Sequence, residues 1–477
     1  MTTQDTTGEV LEWGATPDLN ALETIMWRAE VDPRLRSTVI MLEVLDTAPD
    51  WERLLAAHEW GSRVVPRFRQ RVVDGPGGLG QPVWVTDPSF SLDRHVRRRA
   101  LPEGGGAREM LDIVAQVGME PFDRARPPWE GTLLEGLPDG RAAYVLKMHH
   151  STLDGIAGMQ LLGRLHSPTR EPRPDKPMPP VPEPGSTSSL AAIARTGRRD
   201  LGRLAGVLRD APGHLGALRR PDRSAREAVE WAASLRRVLG DPEATPSPLL
   251  AGRSGRWNLG TLDVPFQDLR AAAKSAGGSL NDAFVAALLG GIRRYHEVLG
   301  ATVSDIPIAI PISVRKEDDP AGGNRFVGAR LAAPAGEPDP VKRIQAVGRA
   351  VRAIRDEPAL EGLGSVAPAL ARLPGPLLAH VVGSLTSAND LQASNVQGLR
   401  EEAFLAGAKI ERMYGFAPVP GCALMITLIT HGDVGCVGVN ADPAAVTDLD
   451  LLGRSLADSF GEVLALVPGA GAATWSG

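Results

Sequence analysis

His149-His150-Ser151-Thr152-Leu153-Asp154-Gly155 stands where an apolar run (Tyr144, Val145, Leu146, Met148) gives way to helical spacing. Residues 142–150 read as a strand. Ile156, Met159, Leu162 and Leu165 follow at the 3–4 spacing of a helix over 154–165. Side chains alternate along a strand, so the two histidines are expected to point to opposite sides. Adjacent imidazoles make a poor metal chelate, because a helical zinc pair wants i, i+4 spacing and no third ligand stands nearby. One imidazole facing a cleft, with a near-neutral titration, suits a general base better. Asp154 is close enough to fix the turn, cap the helix or hold an arginine, and Gly155 leaves space beside the ring. The plain alternative is a pair of core or turn histidines with a capping aspartate.

Outward from this turn, proline marks the organisation of the chain. Residues 167–189 read SPTREPRPDKPMPPVPEPGSTSS, with neither a 3.6 nor a 2.0 period. Such a stretch favours extended polyproline II and reads as a linker. Arg-rich helical sequence follows over 190–240, and 241–248 is turn-like again. This gives an N-terminal lobe at 1–166, a connecting segment at 167–248 and a C-terminal lobe at 249–477. In the first lobe the periods predict helices over 19–30 and 51–58 and strands over 38–45 and 142–150. In the second they predict helices over 281–299, 340–354 and 448–464, and strands over 306–314, 326–333, 423–430 and 434–440. Each lobe therefore mixes α and β and is expected to pack helices on its own sheet. The interface between the lobes becomes a candidate ligand site.

The 477 residues, 43% apolar and 23% charged, describe a soluble globular chain with room for two or three domains. A net charge of −5 and a pI near 6.0 argue against a dedicated nucleic-acid binder. Cys422 and Cys436 are too few for a disulfide framework and lack zinc-site spacing. A reducing, cytoplasmic compartment is the simpler expectation. Residues 1–13 carry neither the basic start nor the apolar core of a signal peptide. The longest apolar runs fall far short of the ~20 residues of a spanning helix.

The motif also carries a resemblance. HHSTLDG matches the HHxxxDG motif of the CoA-dependent acyltransferase superfamily, which includes chloramphenicol acetyltransferases and peptide-synthetase condensation domains. Arg126-Pro127-Pro128-Trp129-Glu130, followed by Glu135-Gly136-Leu137, resembles the RPLWE…EGL stretch of bacterial wax ester synthase/diacylglycerol acyltransferases. Ser279-Leu280-Asn281-Asp282 resembles the "ND" motif that opens a helix in that family's C-terminal lobe. Ile310-Pro311-Ile312-Ser313-Val314-Arg315, with Gly323-Asn324 behind it, resembles PVSLR…GN, and Ser394-Asn395-Val396-Gln397-Gly398 resembles SNVxGP. Order and spacing agree over almost the whole chain. Two departures stand out: Pro128 replaces a leucine, and Leu399 replaces the last proline of SNVxGP. They bear on the substrate more than on the reaction.

The resemblance implies a mixed α/β fold of two chloramphenicol-acetyltransferase-like lobes, with an active-site tunnel at their interface. It implies an O-acyltransferase that moves an acyl group from an acyl thioester, acyl-CoA, directly to a long-chain alcohol or diacylglycerol. No metal or cofactor is implied, since acyl-CoA is a substrate. By the same resemblance His150 is the base, Asp154 orients the motif with Arg315 as a candidate partner, and His149 and Gly155 support it. The lack of a G-x-S-x-G elbow at a strand–helix turn agrees with direct transfer. Asn281, Asp282 and Asn395 are candidate oxyanion or substrate contacts, with helix capping the plain reading at Ser279 and Asn281. Trp129 reads as core packing. Residues 195–237 hold eleven arginines against five acids, with Leu201, Leu204 and Leu208 on one helical face. Such a helix suits an anionic membrane interface, a CoA phosphate or an acyl carrier protein, and equally a solvated helix packed on the lobes. Peripheral association with the inner face of a membrane or with lipid droplets is therefore an expectation. Two alternatives stand beside the lipid reading. One is a specialised-metabolite acyltransferase using a carrier-protein thioester or a non-lipid alcohol, and the other is a non-catalytic lipid-binding protein of the same fold.

Overall fold

The computed structural model describes residues 17–75, 81–152, 155–172, 177–182, 244–313, 326–357, 367–368, 370–386 and 389–477. Asp154, Arg315, Gly323-Asn324 and the Arg-rich stretch 195–237 lie outside the described residues.

Asn20 caps α1 (Ala21–Ala29): its side chain accepts the Glu23 N–H while the Glu23 carboxylate accepts the Asn20 N–H. The chain then forms β1 (Thr38–Leu45), α2 (Trp51–Val64), β2 (Gln70–Val73), β3 (Val83–Thr86), β4 (Val96–Ala100), α3 (Ala107–Met119), β5 (Trp129–Glu135), β6 (Ala142–His149) and α4 (Gly155–Leu165). The second half begins with β7 (Asn258–Pro265), α5 (Phe266–Ser275), α6 (Leu280–Val298), β8 (Asp305–Ser313), β9 (Phe326–Pro334), α7 (Pro340–Arg355) and α8 (Gly375–Thr386). It ends with β10 (Leu391–Val396), β11 (Phe404–Leu405), β12 (Ala408–Phe416), β13 (Leu424–His431), β14 (Val434–Ala441), α9 (Leu449–Leu464) and β15 (Thr474–Ser476).

Two mixed sheets result. The first runs β11-β12-β1-β6-β5-β4 and the second β15-β7-β14-β13-β10-β8-β9. β6 is buried at every position, as a central strand covered on both faces must be. Its Tyr144, Leu146 and Met148 pack with Leu54 and Trp60 of α2 and with Met159 and Leu162 of α4. Its Ala143 and Val145 pack with Leu111 and Val114 of α3. In the second half α6 is the buried central helix, with Ala283 through Leu289 fully enclosed among α5, α7, α9 and the sheet.

The sheets do not divide at the linker. Sequence reading assigns everything after 249 to the second lobe, yet β11 and β12 belong to the first sheet, where β12 runs antiparallel to β1 from Ile40↔Phe416 to Leu45↔Ile410. At this crossing the sheets touch backbone to backbone. A Cβ on Gly438 would stand 2.3 Å from the Gly415 carbonyl oxygen, so only glycine fits. One apolar core is shared, joining Ile40, Leu42 and Leu111 to Trp257, Leu259, Met425 and Cys436. Asp263 of β7 accepts hydrogen bonds from Arg412 Nε and the Tyr414 hydroxyl, both at 2.6 Å. Cys422 and Cys436 are buried thiols, and burial pushes each up to about 12. Among the described residues no helix is long and apolar enough to cross a membrane.

Candidate active site

β6 carries the histidine pair to one end of the first sheet. Antiparallel pairing sets Thr38 opposite His149 and Trp129 opposite Met148. Beyond the strand three main-chain bonds hold the turn. The His149 N–H donates to the Pro128 carbonyl at 3.0 Å, the His150 N–H to the Ser37 carbonyl at 2.7 Å, and the Thr152 N–H to the His149 carbonyl at 2.9 Å. Pro128, one of the two departures from the family pattern, is buried and serves the turn through its carbonyl. α4 then starts at Gly155.

His149 is fully enclosed. The Trp27 ring meets it edge-on at 5.0 Å and Phe122 at 6.2 Å. Its Nδ1 accepts the Ser151 N–H at 3.0 Å and lies 2.7 Å from the Ser151 hydroxyl. A nitrogen that accepts carries no proton, so the ring proton belongs on Nε2. Nε2 lies 3.1 Å from Glu30 Oε1, approached off the N–H axis. Burial by itself would raise the Glu30 carboxyl. His149, the Ser37 N–H and Arg124 outweigh it and hold the group below the usual carboxylate range. His150 is half-buried at the turn. An imidazole there, fixed through its own main chain and beside a neighbour whose Nδ1 is held by Ser151, is placed to take and return a proton.

The SNVQG segment reaches the same region. β10 runs parallel to β13, with Asn395 opposite Leu428, and α4 packs against it. A Cβ on Gly398 would sit 1.9 Å from the Thr430 carbonyl oxygen, which explains a glycine there. Leu399, the other departure, lies with its Cδ2 3.2 Å from the Cβ position of Gly163 on α4. The departure is thus a packing contact on the helix that follows the motif. Asn395 is half-buried near the end of β10, and Asn281 is half-buried in the first turn of α6.

Asp282 corrects the sequence reading. It was expected among the substrate contacts, but its carboxylate accepts the Ser279 N–H at 2.8 Å while the Ser279 hydroxyl accepts the Asp282 N–H at 3.2 Å. It is buried and committed to a capping box. Trp129 is core, as read: it stacks on His95 at 4.7 Å and donates its indole N–H to the Phe68 carbonyl at 2.7 Å.

Sequence reasoning missed Glu30, Ser37 and Lys147. Glu30 reads as the polar end of a helix, and only the fold brings it against a residue 119 positions away. Lys147 lies on the same strand face as His149, with its ammonium 4.4 Å from the Phe122 ring centre and 3.5 Å from Glu130, and burial pushes it down. A small cleft between Arg34, Arg36 and Met119 on one side and Gly255, Trp257 and Val419 on the other opens beside this end of the sheet. His150 is not among its lining residues. Among the described residues no group of three or more His, Cys, Asp or Glu side chains could hold a metal ion.

A family model described as the wax ester synthase/diacylglycerol acyltransferase catalytic domain matches residues 18–284, and the model of that family's C-terminal domain matches 322–463. A Mycobacterium tuberculosis protein carrying the name diacylglycerol O-acyltransferase is 40% identical over 462 residues, covering 95% of this chain and 92% of its own. A second M. tuberculosis protein of that name is 30% identical over 460 residues, covering 91% and 94%. The solved wax ester synthase/diacylglycerol acyltransferase from Marinobacter aquaeolei VT8 superposes with a TM-score of 0.61 at 21% identity, covering 94% of this chain and 98% of that one. The first condensation domain of the calcium-dependent antibiotic synthetase reaches 0.58 at 18% identity, covering 96% and 99%. At such identities the solved structures speak for the fold alone, and that fold is the two-lobed mixed α/β arrangement expected.

Proposed function

This chain belongs to the wax ester synthase/diacylglycerol acyltransferase family, and from that premise we propose that His150 is the general base of its acyl transfer. The enzyme is an acyl-CoA-dependent O-acyltransferase whose acceptor is an alcohol, a long-chain alcohol or a diacylglycerol. A free hydroxyl is far too weak an acid to ionise before it attacks. The base must take its proton as the oxygen closes on the thioester carbonyl, and such assistance is typically worth ~10²–10⁴-fold. The new C–O bond forms and the C–S bond breaks. The proton held on the His150 ring then passes to the leaving sulfur, so CoA departs as the thiol and the imidazole returns to neutral.

Between those events the carbonyl oxygen carries negative charge, and Asn281 and Asn395 are the proposed donors to it, a role worth ~3 kcal/mol per donor elsewhere. Asp154 is proposed to orient the motif, with Arg315 as its partner. The reaction so written requires no metal and no dissociable cofactor. Because the acceptor is a lipid, transient contact with the inner face of a membrane or a lipid droplet belongs to the same reading, and an acyl carrier protein is the alternative donor.

The observation that carries the assignment is the turn itself. His149 is fully enclosed and its Nδ1 accepts the Ser151 N–H, whereas His150 is half-buried at the turn, which supports His150 as the imidazole of the pair that reaches substrate. Purified enzyme given acyl-CoAs and a panel of alcohols is expected to release free CoA and ester together. His150→Ala is expected to lose at least ~10² in kcat with an unchanged melting curve. Activity within about threefold of wild type in that folded variant would overturn the assignment.

A further inference from the structure

We propose that Glu30 is a positioning residue for the reaction: one of its carboxylate oxygens sets the placement of both histidines of the motif. The proposal rests on the reading of His150 as the base. Oε1 accepts the Ser37 N–H at 2.8 Å and lies 3.1 Å from His149 Nε2. The Ser37 carbonyl in turn accepts the His150 N–H at 2.7 Å. A single atom therefore lies against Nε2 of the first histidine and is linked by hydrogen bonds, through one peptide group, to the main chain of the second. The other oxygen, Oε2, lies 3.8 Å from Arg124, whose guanidinium covers the Trp27 ring at 4.4 Å.

Local structure does not account for this carboxylate. Glu30 is the C-cap of α1, and the end of a helix carries partial negative charge, where an anion is unfavourable. Its side chain is only 12% exposed, so water does little to offset that. The favourable contacts come from elsewhere in the fold: the Ser37 peptide, the His149 ring and Arg124. Since α1 also supplies the Trp27 edge against His149, the C-terminal turn of α1 forms the back wall of the motif. Without the Glu30 oxygen, the Ser37 N–H loses its acceptor and the His149 ring, still held by Ser151, loses its contact at Nε2, so the peptide that receives the His150 N–H can shift. Misplacement of a catalytic group by about 1 Å costs on the order of 10²-fold.

The test compares Glu30→Ala, Glu30→Asp and Glu30→Gln in the full-length enzyme, with kcat, KM for acyl-CoA and for the alcohol, and melting temperature measured for each. Glu30→Ala and Glu30→Asp are expected to lower kcat by about 10- to 100-fold while both KM values stay within about threefold of wild type. Glu30→Gln keeps an acceptor oxygen in place and is expected to recover most of that loss. Combining Glu30→Ala with His149→Ala is expected to cost little more than the worse single change, because both act through one linkage. Folded Glu30→Ala or Glu30→Asp protein with undiminished kcat, a loss confined to KM, or fully additive losses with His149→Ala would each overturn the proposal. If Glu30→Ala does not fold, Glu30→Asp against Glu30→Gln decides by the same criteria. His150→Ala, run alongside, separates the two readings: wild-type activity there sinks the base assignment whatever Glu30 does.

Discussion

Glu43 stands in the middle of β1 with no solvent exposure, and His166, just past α4, faces both of its oxygens at 3.1 and 3.2 Å. Burial alone would lower the His166 imidazole. Glu43 and the Leu162 carbonyl outweigh it and raise the group above its ordinary value. A raised histidine contributes stability that is complete below its unfolded value near 6.5 and is lost as pH climbs through the folded one. His166→Ala should cost about 3–5 kcal/mol at pH 6, because it strands a buried carboxylate, and should flatten the fall in urea midpoint as pH rises above about 6.5. A variant as stable as wild type at pH 6 would refute this pairing. Asp390 has the same sign for a different reason. Its carboxylate accepts the Ser247 N–H at 2.7 Å and lies 3.6 Å from Arg253, yet burial dominates and pushes it up to about 6. A carboxyl raised in the fold holds its proton there longer than in the open chain, so stability declines as pH rises from about 4 through about 6. Asp390→Asn should remove that decline and gain on the order of 3 kcal/mol above pH 6. Melting temperatures from pH 4 to 8 check it, and a slope equal to that of wild type counts against it.

At the scale of elements, the segment after β10 passes close to the end of β13 and then rests on α4. Gly398 follows β10 where the chain passes the Thr430 carbonyl, and a methyl group there would have to displace backbone rather than a flexible side chain. Gly398→Ala should therefore cost about 1–3 kcal/mol and lower kcat as well, since the next residue, Leu399, rests on α4. A melting curve and turnover like wild type would show that the segment bends freely. The start of α6 behaves more locally. Ser279→Ala removes one half of the capping box and should cost about 1 kcal/mol, and its denaturation midpoint is the measurement.

The whole molecule is held together by strands that cross between its halves. If the chain is cut within 183–243, the N-terminal fragment lacks β11 and β12, and β1 loses its partner on one side. A long apolar strand with a bare edge invites aggregation. The fragment 1–182 alone should be insoluble or unfolded, whereas co-expression with the complementary fragment 183–477 should restore soluble, active enzyme. Circular dichroism and size-exclusion chromatography of the two preparations decide the matter, and an independently folded 1–182 would mean that the first sheet is complete without the crossing.

Much of this was legible in the chain itself. The strand read at 142–150 and the helix read at 154–165, found at 142–149 and 155–165, follow from a change of apolar period and from local turn chemistry, interactions that span a few residues. The same holds for β1, read at 38–45 and found there, and for α7 and α9, whose ends fall within one residue of the periodic pattern. The order of the motifs identified the family for a similar reason, since each motif is contiguous. What only the tertiary structure decided is which distant segments meet. Nothing in residues 408–416 announces that they pair with β1 rather than with their neighbours in sequence. The alternation EVLD shows no sign that Glu43 faces a histidine from beyond α4. Glu30 looks like any exposed helix end until the fold encloses it against His149. Asp282 reads as a substrate contact by sequence, and the structure commits its carboxylate to the Ser279 N–H at 2.8 Å, in a capping box. Pairing across long loops, and the burial that shifts a carboxylate or an imidazole, depend on the packed whole, and no local period encodes them.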